Sequence, residues 1–248
     1  MTKKTLLSSL VLTAYLGLAA CAGNSEDLSS TETLQDDATQ EQVFDSTAQT
    51  ENPEAANMVE ENAVATSTKS AILKEYDYVD PNRAINTDAL AKALIYFDSN
   101  KSKIKNKNYV TVIDFGAKST KARFHIIDMK TGKVWSIHVA HGKGSDSNHD
   151  GYAEKFSNKS GSKASSLGYY LTGSTYNGSN GLSLRLDGLS STNSNARGRA
   201  VVIHGASYVK EKSVIQGRSW GCPAVASSLK TKVINMLKNG TLIYAYAN

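Results

Sequence analysis

Apolar residues are distributed along this chain in three ways. Over residues 5–20 they run almost without interruption behind Lys3 and Lys4, and over residues 22–68 they are scattered among acidic, amide and hydroxyl side chains. Beyond about Asp88 they take up the periods of regular structure. Ala89, Leu90, Ala93, Leu94 and Phe97 recur at helical spacing behind Asn86 and Thr87, either of which can cap a helix that ends near residues 98–100. Apolar and β-branched runs then predict strands at residues 109–115, 122–129, 133–140, 168–172, 182–186, 200–204 and 241–246. Lys130-Thr131-Gly132 is a hairpin signal between the second and third. Loops rich in glycine and serine separate the others, the longest over residues 142–166. Ser227 or Ser228 is expected to cap a second helix that runs to Leu237 and closes at Asn239-Gly240. The pattern describes one β-rich domain with a helix near each end and no internal repeat.

The first 68 residues have a different character. An apolar stretch of 16 residues is marginal for a membrane span, which needs about 20, and behind two lysines it reads as a signal peptide over residues 1–20. Its ending, Leu18-Ala19-Ala20-Cys21, resembles a bacterial lipoprotein signal, which implies a lipid on Cys21 as the first mature residue. Plain secretory cleavage near Ala20 is the alternative. Residues 22–68 hold eleven Asp or Glu and no Lys or Arg. Too little apolar surface is present to offset chain entropy, so residues 21–68 are expected to form a disordered acidic tether spanning roughly 35–40 Å as a coil.

Residues 69–248 reverse that charge balance, with 26 basic against 12 acidic side chains and a net charge of +14. Their number suits a single domain: a helical extension over 69–108 and a catalytic portion over 109–248. So basic a domain suggests an anionic partner, and export restricts the choice to cell-wall carboxylates, lipid headgroups or the acidic tether itself. Nucleic acid is not expected, because export removes it and no interleaving of aromatic and basic residues is present.

With Cys21 assigned to processing, Cys222 is a lone thiol in an oxidising compartment and has no partner for a disulfide. It sits in Arg218-Ser219-Trp220-Gly221-Cys222-Pro223-Ala224, whose flanks describe a turn. A buried structural cysteine is the plainer reading. His204 ends an apolar strand eighteen residues upstream, and an imidazole is what a thiol needs to act as a nucleophile. His141 ends another strand before Gly142 and is placed to line the same cleft. His149 lies in a polar loop, while His125 and His138 fall within strands and read as structural. Scattered histidines and one thiol lack the close ligand pairs of a zinc site, so neither metal nor cofactor is expected.

The succession Ile113-Asp114-Phe115, Ala140-His141-Gly142, Lys155-Phe156-Ser157-Asn158, Ser165-Ser166-Leu167-Gly168, Ile203-His204-Gly205-Ala206 and Ser219-Trp220-Gly221-Cys222-Pro223-Ala224 resembles the murein L,D-transpeptidase catalytic-domain family, a branch of the YkuD-like L,D-transpeptidases. The resemblance runs from about Asp88 to the C-terminus. It implies a β-sandwich-like domain and cysteine-dependent acyl transfer on peptidoglycan stem peptides. Cys222 would attack the amide between stem residues 3 and 4, His204 would carry the proton, and terminal D-alanine would leave. Backbone N–H groups of Gly221 and Cys222 are the expected oxyanion donors. The backbone carbonyl that orients the histidine in that family is sought at Ser219.

Two positions depart from the wider superfamily. Trp220 stands where a histidine is usual, and Ala224 stands where a basic or amide residue contacts the substrate carboxylate. That contact is therefore sought at Arg218, Arg197 or Arg199, whose guanidinium forks suit carboxylates, with His141, Gly205 and Trp220 completing the expected substrate surface. An amine acceptor from another stem, or from a wall-attached protein, makes a transpeptidase; water makes an L,D-carboxypeptidase. Residues 142–166 are long enough to form a lid that excludes water. Papain-like wall hydrolases place cysteine before histidine, and sortases need an arginine after the cysteine, so neither matches. A non-catalytic lipoprotein tether that binds peptidoglycan remains the alternative outside enzymes. The expected location is the periplasmic cell envelope, anchored through Cys21, with Ala22 in place of the retaining aspartate pointing to the outer membrane.

Overall fold

The structure, a computed structural model, describes residues 65–248. The signal peptide, Cys21 and all but the end of the expected tether lie outside the described residues. That end differs from expectation, because helix α1 begins at Thr66 and runs to Glu75. The helix lacks a side-chain cap at Ala65 and fully buries only Ile72, so it carries little periodic signal. Helix α2, Thr87–Ser99, forms as expected: Asn86 Oδ1 accepts from the N–H groups of Asp88 and Ala89 at 3.1 Å each. Among the described residues, no helix is long and apolar enough to cross a membrane.

Nine strands form one mixed sheet: β1 Tyr109–Asp114, β2 Phe124–Asp128, β3 Val134–Ile137, β4 Val139–Ala140, β5 Gly168–Gly178, β6 Gly181–Gly188, β7 Val202–Ala206, β8 Ala224–Ala226 and β9 Leu242–Tyr246. Their order is β3-β2-β1-β9-β5-β6-β7-β8-β4. β3 and β4 are consecutive in the chain, separated by His138 alone, yet they stand at opposite ends of this order. The sheet must therefore curl until its two edges meet at that residue, and it nearly closes into a barrel. The single β-rich domain of the sequence reading is thus one curled sheet whose two walls face each other.

Alternation along the strands lets this sheet bury both faces. Val110, Val112, Ile127, Tyr169, Leu171 and Leu242 pack outward under α1 and α2. Ile113, Ile126, Tyr170, Leu186, Ile203, Val225 and Ile243 point into the curl, which helix α3, Lys230–Leu237, closes with Val233, Ile234 and Leu237. Leu229, not Ser227 or Ser228, stands at the N-cap of α3, without a side-chain hydrogen bond. The expected serine cap is therefore corrected. Strand β5 continues six residues beyond the expected end at Thr172, pairing with β6 across a register shift between Thr172 and Thr175. Its polar outer half reads as loop because the ladder to β6, not an apolar face, holds it.

Candidate active site

The parallel pair β7/β8 builds the centre of the site. His204 lies opposite Ala224 in its register, so the imidazole-bearing strand runs beside the one that leaves the cysteine turn, two residues after Cys222. His204 is 1% exposed, and its Nδ1 lies 3.2 Å from the Gly205 carbonyl. A carbonyl can only accept, so Nδ1 carries the hydrogen and the lone pair of the neutral ring is on Nε2. The Gly205 backbone thus fixes the tautomer that can take a proton. The other side of Gly205 packs on the side chain of Lys230, where a methyl group would come within 2.9 Å of Cβ.

Cys222 is buried, and its Sγ lies 3.6 Å from the Ala200 carbonyl. Ser219 shapes the turn that carries it: its hydroxyl donates to the Cys222 carbonyl at 2.6 Å and accepts from the Gly221 N–H at 3.1 Å. Of the two expected oxyanion donors, the Gly221 N–H is therefore engaged within the turn. Gly221 has φ +123°, and a methyl there would approach the Ala164 carbonyl to 2.8 Å, so the position needs glycine twice over. Ser219 N–H donates to the His141 carbonyl at 2.9 Å, and the Ser219 carbonyl accepts from Lys143 N–H at 2.7 Å. In this structure Ser219 braces the turn, and the carbonyl beside His204 Nδ1 is that of Gly205.

The family model for the L,D-transpeptidase catalytic domain matches residues 81–246. This chain belongs to that family. Its members act on the cell wall, with peptidoglycan as the substrate the family implies. A comparison with curated protein sequences gives no match. Among solved structures, the L,D-transpeptidase LdtMt1 in complex with imipenem is similar at 14% identity, over 56% of this chain and 59% of that one, with a TM-score of 0.35. An L,D-transpeptidase from Xylanimonas cellulosilytica matches at 14% identity over 61% and 69% of the two chains, with a TM-score of 0.34. The helical cell shape determining protein Pgp2 from Campylobacter jejuni matches at 13% identity over 58% and 51%, with a TM-score of 0.33. This chain thus spans about three fifths of the first of these.

Three arginines are the expected candidates for a substrate-carboxylate contact in place of Ala224, and their partners differ. Arg197 is held in a bidentate pair with Asp187, at 2.6 and 2.8 Å. Arg218 donates to the Asp146 carbonyl behind the turn. Arg199 lies beside the cysteine turn, with Nη2 3.2 Å from where a Gly221 methyl would stand. Its donors reach the carbonyls of Ser157 and Ala164 at 2.6 and 2.5 Å, and the hydroxyls of Ser162 and Ser166 at 3.2 and 3.3 Å. All four acceptors are neutral. Burial lowers the Arg199 pKa, and the anionic forms of Tyr170 and Cys222 oppose that shift.

The same four bonds tie Arg199 to residues 157–166, whose end packs on the cysteine turn, with Ser165 Oγ donating to the Gly221 carbonyl at 3.3 Å. Lys163 lies over the Trp220 ring at 4.2 Å, which covers the flank of the turn. Tyr170, its hydroxyl on the Ser166 carbonyl at 2.8 Å, is pushed up by burial to about 12. Sequence reasoning missed Ser166 and Tyr170, whose only signal was their place within the resembling motif and the strand after it.

His141 does not reach the cysteine through its side chain. It is 1% exposed, with Nδ1 2.6 Å from an Arg123 Nη2 and Nε2 3.0 Å from Asp146 Oδ2. Because Arg123 can only donate, His141 is the neutral Nε2–H tautomer. Burial, and after it the Arg123 charge, push its pKa down to about 4. Burial alone would raise Asp146, but hydrogen bonds from His141 and the Gly151 N–H hold it below the ordinary carboxylate value. His149 Nε2 donates to the Gln216 carbonyl at 3.0 Å, His125 Nδ1 pairs with Ser136 at 2.8 Å, and His138 pairs with Glu211 at 3.2 Å. Arg123 and Asp146 were also missed. A charge inside the apolar run 122–129 was the available signal for Arg123.

Proposed function

We propose that this domain is a cysteine acyltransferase that cleaves the bond between stem residues 3 and 4 of peptidoglycan and passes the acyl group to an amine. The observation that carries the reading is the parallel register of β7 and β8, with Gly205 holding the Nε2 lone-pair tautomer of His204 beside the strand that follows Cys222. His204 takes the thiol proton, and the thiolate attacks the carbonyl of stem residue 3. The tetrahedral oxyanion is met by the Cys222 N–H. Its collapse expels D-alanine, protonated by the same imidazole, and leaves a thioester. An acceptor amine, deprotonated by His204, then attacks the thioester and restores the thiol.

Arg199 is the cation this mechanism assigns to a substrate carboxylate, since Arg197 is paired with the Asp187 carboxylate while Arg199 lies beside Gly221 with neutral acceptors that a carboxylate can displace. A carboxylate would replace neutral acceptors with a charge-assisted, bidentate pair. A lipid on Cys21, with residues 22–65 as the reach between membrane and wall, completes the proposal: an enzyme of the periplasmic envelope, held at the outer membrane.

The test is D-alanine release from a purified disaccharide tetrapeptide, with an amine acceptor added and withheld. Wild-type protein should release D-alanine and form a crosslinked product, whereas Cys222→Ala should do neither. Turnover retained by Cys222→Ala would falsify the thiol mechanism, and no release by the wild-type protein would leave a peptidoglycan-binding tether.

A further inference from the structure

Strand β4 is the shortest of the sheet and lies beside β8, the strand that leaves the cysteine turn. It pairs with β8 through only two residues, Val139 with Val225 and Ala140 with Ala224, and on its other side the ladder ends. So short a ladder fixes register poorly. Yet the backbone just beyond it, from His141 to Lys143, holds Ser219 through two hydrogen bonds, and Ser219 in turn holds both Gly221 and Cys222. Any slip of this edge would move the nucleophile.

The gap between the two ends of the sheet is filled by buried polar groups. Arg123, at the start of β2, is 1% exposed and donates across the seam to the Val139 carbonyl at 3.1 Å, as well as to the Ala117 carbonyl at 2.6 Å. It also meets His141, which joins it to Asp146, a residue with no exposure. Asp146 accepts from the N–H groups of Gly151 and Asp150 at 3.1 and 3.2 Å, and its carbonyl receives Arg218 from the cysteine turn. A buried charge network adds little net stability over apolar packing, but its directional bonds can specify one arrangement. Here the arrangement is the closure of a nearly complete barrel at the strand that carries the turn.

We propose that Arg123, His141 and Asp146 are positioning residues for Cys222, which close the seam of the sheet and so fix the turn through the His141 and Lys143 backbone. The inference rests on Cys222 as the nucleophile and touches no substrate atom.

Two reactions of the full chain separate positioning from general stability. Alkylation of Cys222 by iodoacetamide needs only a reachable thiolate, while D-alanine release from disaccharide tetrapeptide needs the thiol, the N–H donor and the imidazole in register. In Asp146→Asn and His141→Gln, assayed below their thermal midpoints, D-alanine release should fall about tenfold to a hundredfold, with KM changed little and alkylation within about threefold of wild type. Release within about threefold of wild type in both variants overturns the proposal, as does a parallel fall in both reactions. Hydrogen exchange on the wild-type protein tests it without any variant: the Ser219 and Lys143 amides should exchange as slowly as those of β1 and β9. Exchange as fast as at a frayed edge overturns it. Should the wild-type protein release no D-alanine, the proposed function fails, and the exchange measurement decides the seam by itself.

Discussion

Between β1, β9 and β5 the sheet is held by long ladders with apolar side chains on both faces: Val112 and Leu242 lie under α2, while Ile113 and Ile243 point into the curl. Between β7, β8 and β4 the ladders shorten to three pairs and then two, and Arg123, His141, Asp146, Ser165 and His204 are buried among them. Apolar burial is non-directional and supplies stability; hydrogen bonds to buried polar groups are directional and supply position. The difference teaches where each kind of damage should appear. Lesions in the first region should lower stability and spare the chemistry of molecules that remain folded, and lesions in the second should do the reverse.

The sharpest contrast comes from His204→Gln. Loss of the proposed general base should lower D-alanine release by about 10²- to 10⁴-fold at a temperature where the protein stays folded. A rate within a few-fold of wild type would remove His204 from the mechanism. Its counterpart in the other region is Leu242→Ala, at a side chain with no exposure. Truncation there should cost about 2–5 kcal/mol in denaturant unfolding while leaving turnover per folded molecule unchanged. A catalytic defect without a stability defect would erase the distinction between the regions.

The pH dependence of stability sharpens it further. His141 ionises at about 4 when folded, against an ordinary value of 6.5, because burial and Arg123 disfavour its charge. The unfolded chain therefore takes up this proton first as pH falls. The contribution is complete above about pH 6.5 and is lost between there and about pH 4, amounting to about 3 kcal/mol. Thermal midpoints measured over that interval should fall less steeply in His141→Gln than in wild type, and identical slopes would count against the buried neutral ring. The smallest effect is expected at Arg199→Lys, which keeps the charge and loses the fork. Its KM for tetrapeptide should rise about tenfold with little change in kcat, and an unchanged KM would move the carboxylate contact elsewhere.

Much of the first region was legible in the sequence, because period and packing coincide there. The helix behind Asn86 carries the helical spacing, and the strands at Tyr109–Asp114 and Leu242–Tyr246 the near-continuous apolar and β-branched runs, that their burial requires. The outer half of β5 was not legible, since backbone pairing and not an apolar face holds it, and the three residues of β8, though buried, are too few to show a period. The cysteine turn and its histidine strand were visible as a motif. The partners behind them were not: Arg123 and Asp146 lie 23 residues apart in the chain, and only closure of the sheet brings both to His141. Arg199 could be named as one of three candidates. Its preference in the proposal draws on Arg197 on Asp187 and on its own place beside Gly221, neither of which shows in the sequence.

Intact-mass analysis of the protein during incubation with disaccharide tetrapeptide, with the modified residue located by peptide mapping, tests the central claim most directly. A thioester on Cys222 equal to the donor less D-alanine, discharged when an amine is added, is the expected result. D-alanine release with Cys222 unmodified throughout, or a thiol that stays inert to the donor while the folded protein binds it, would contradict the account.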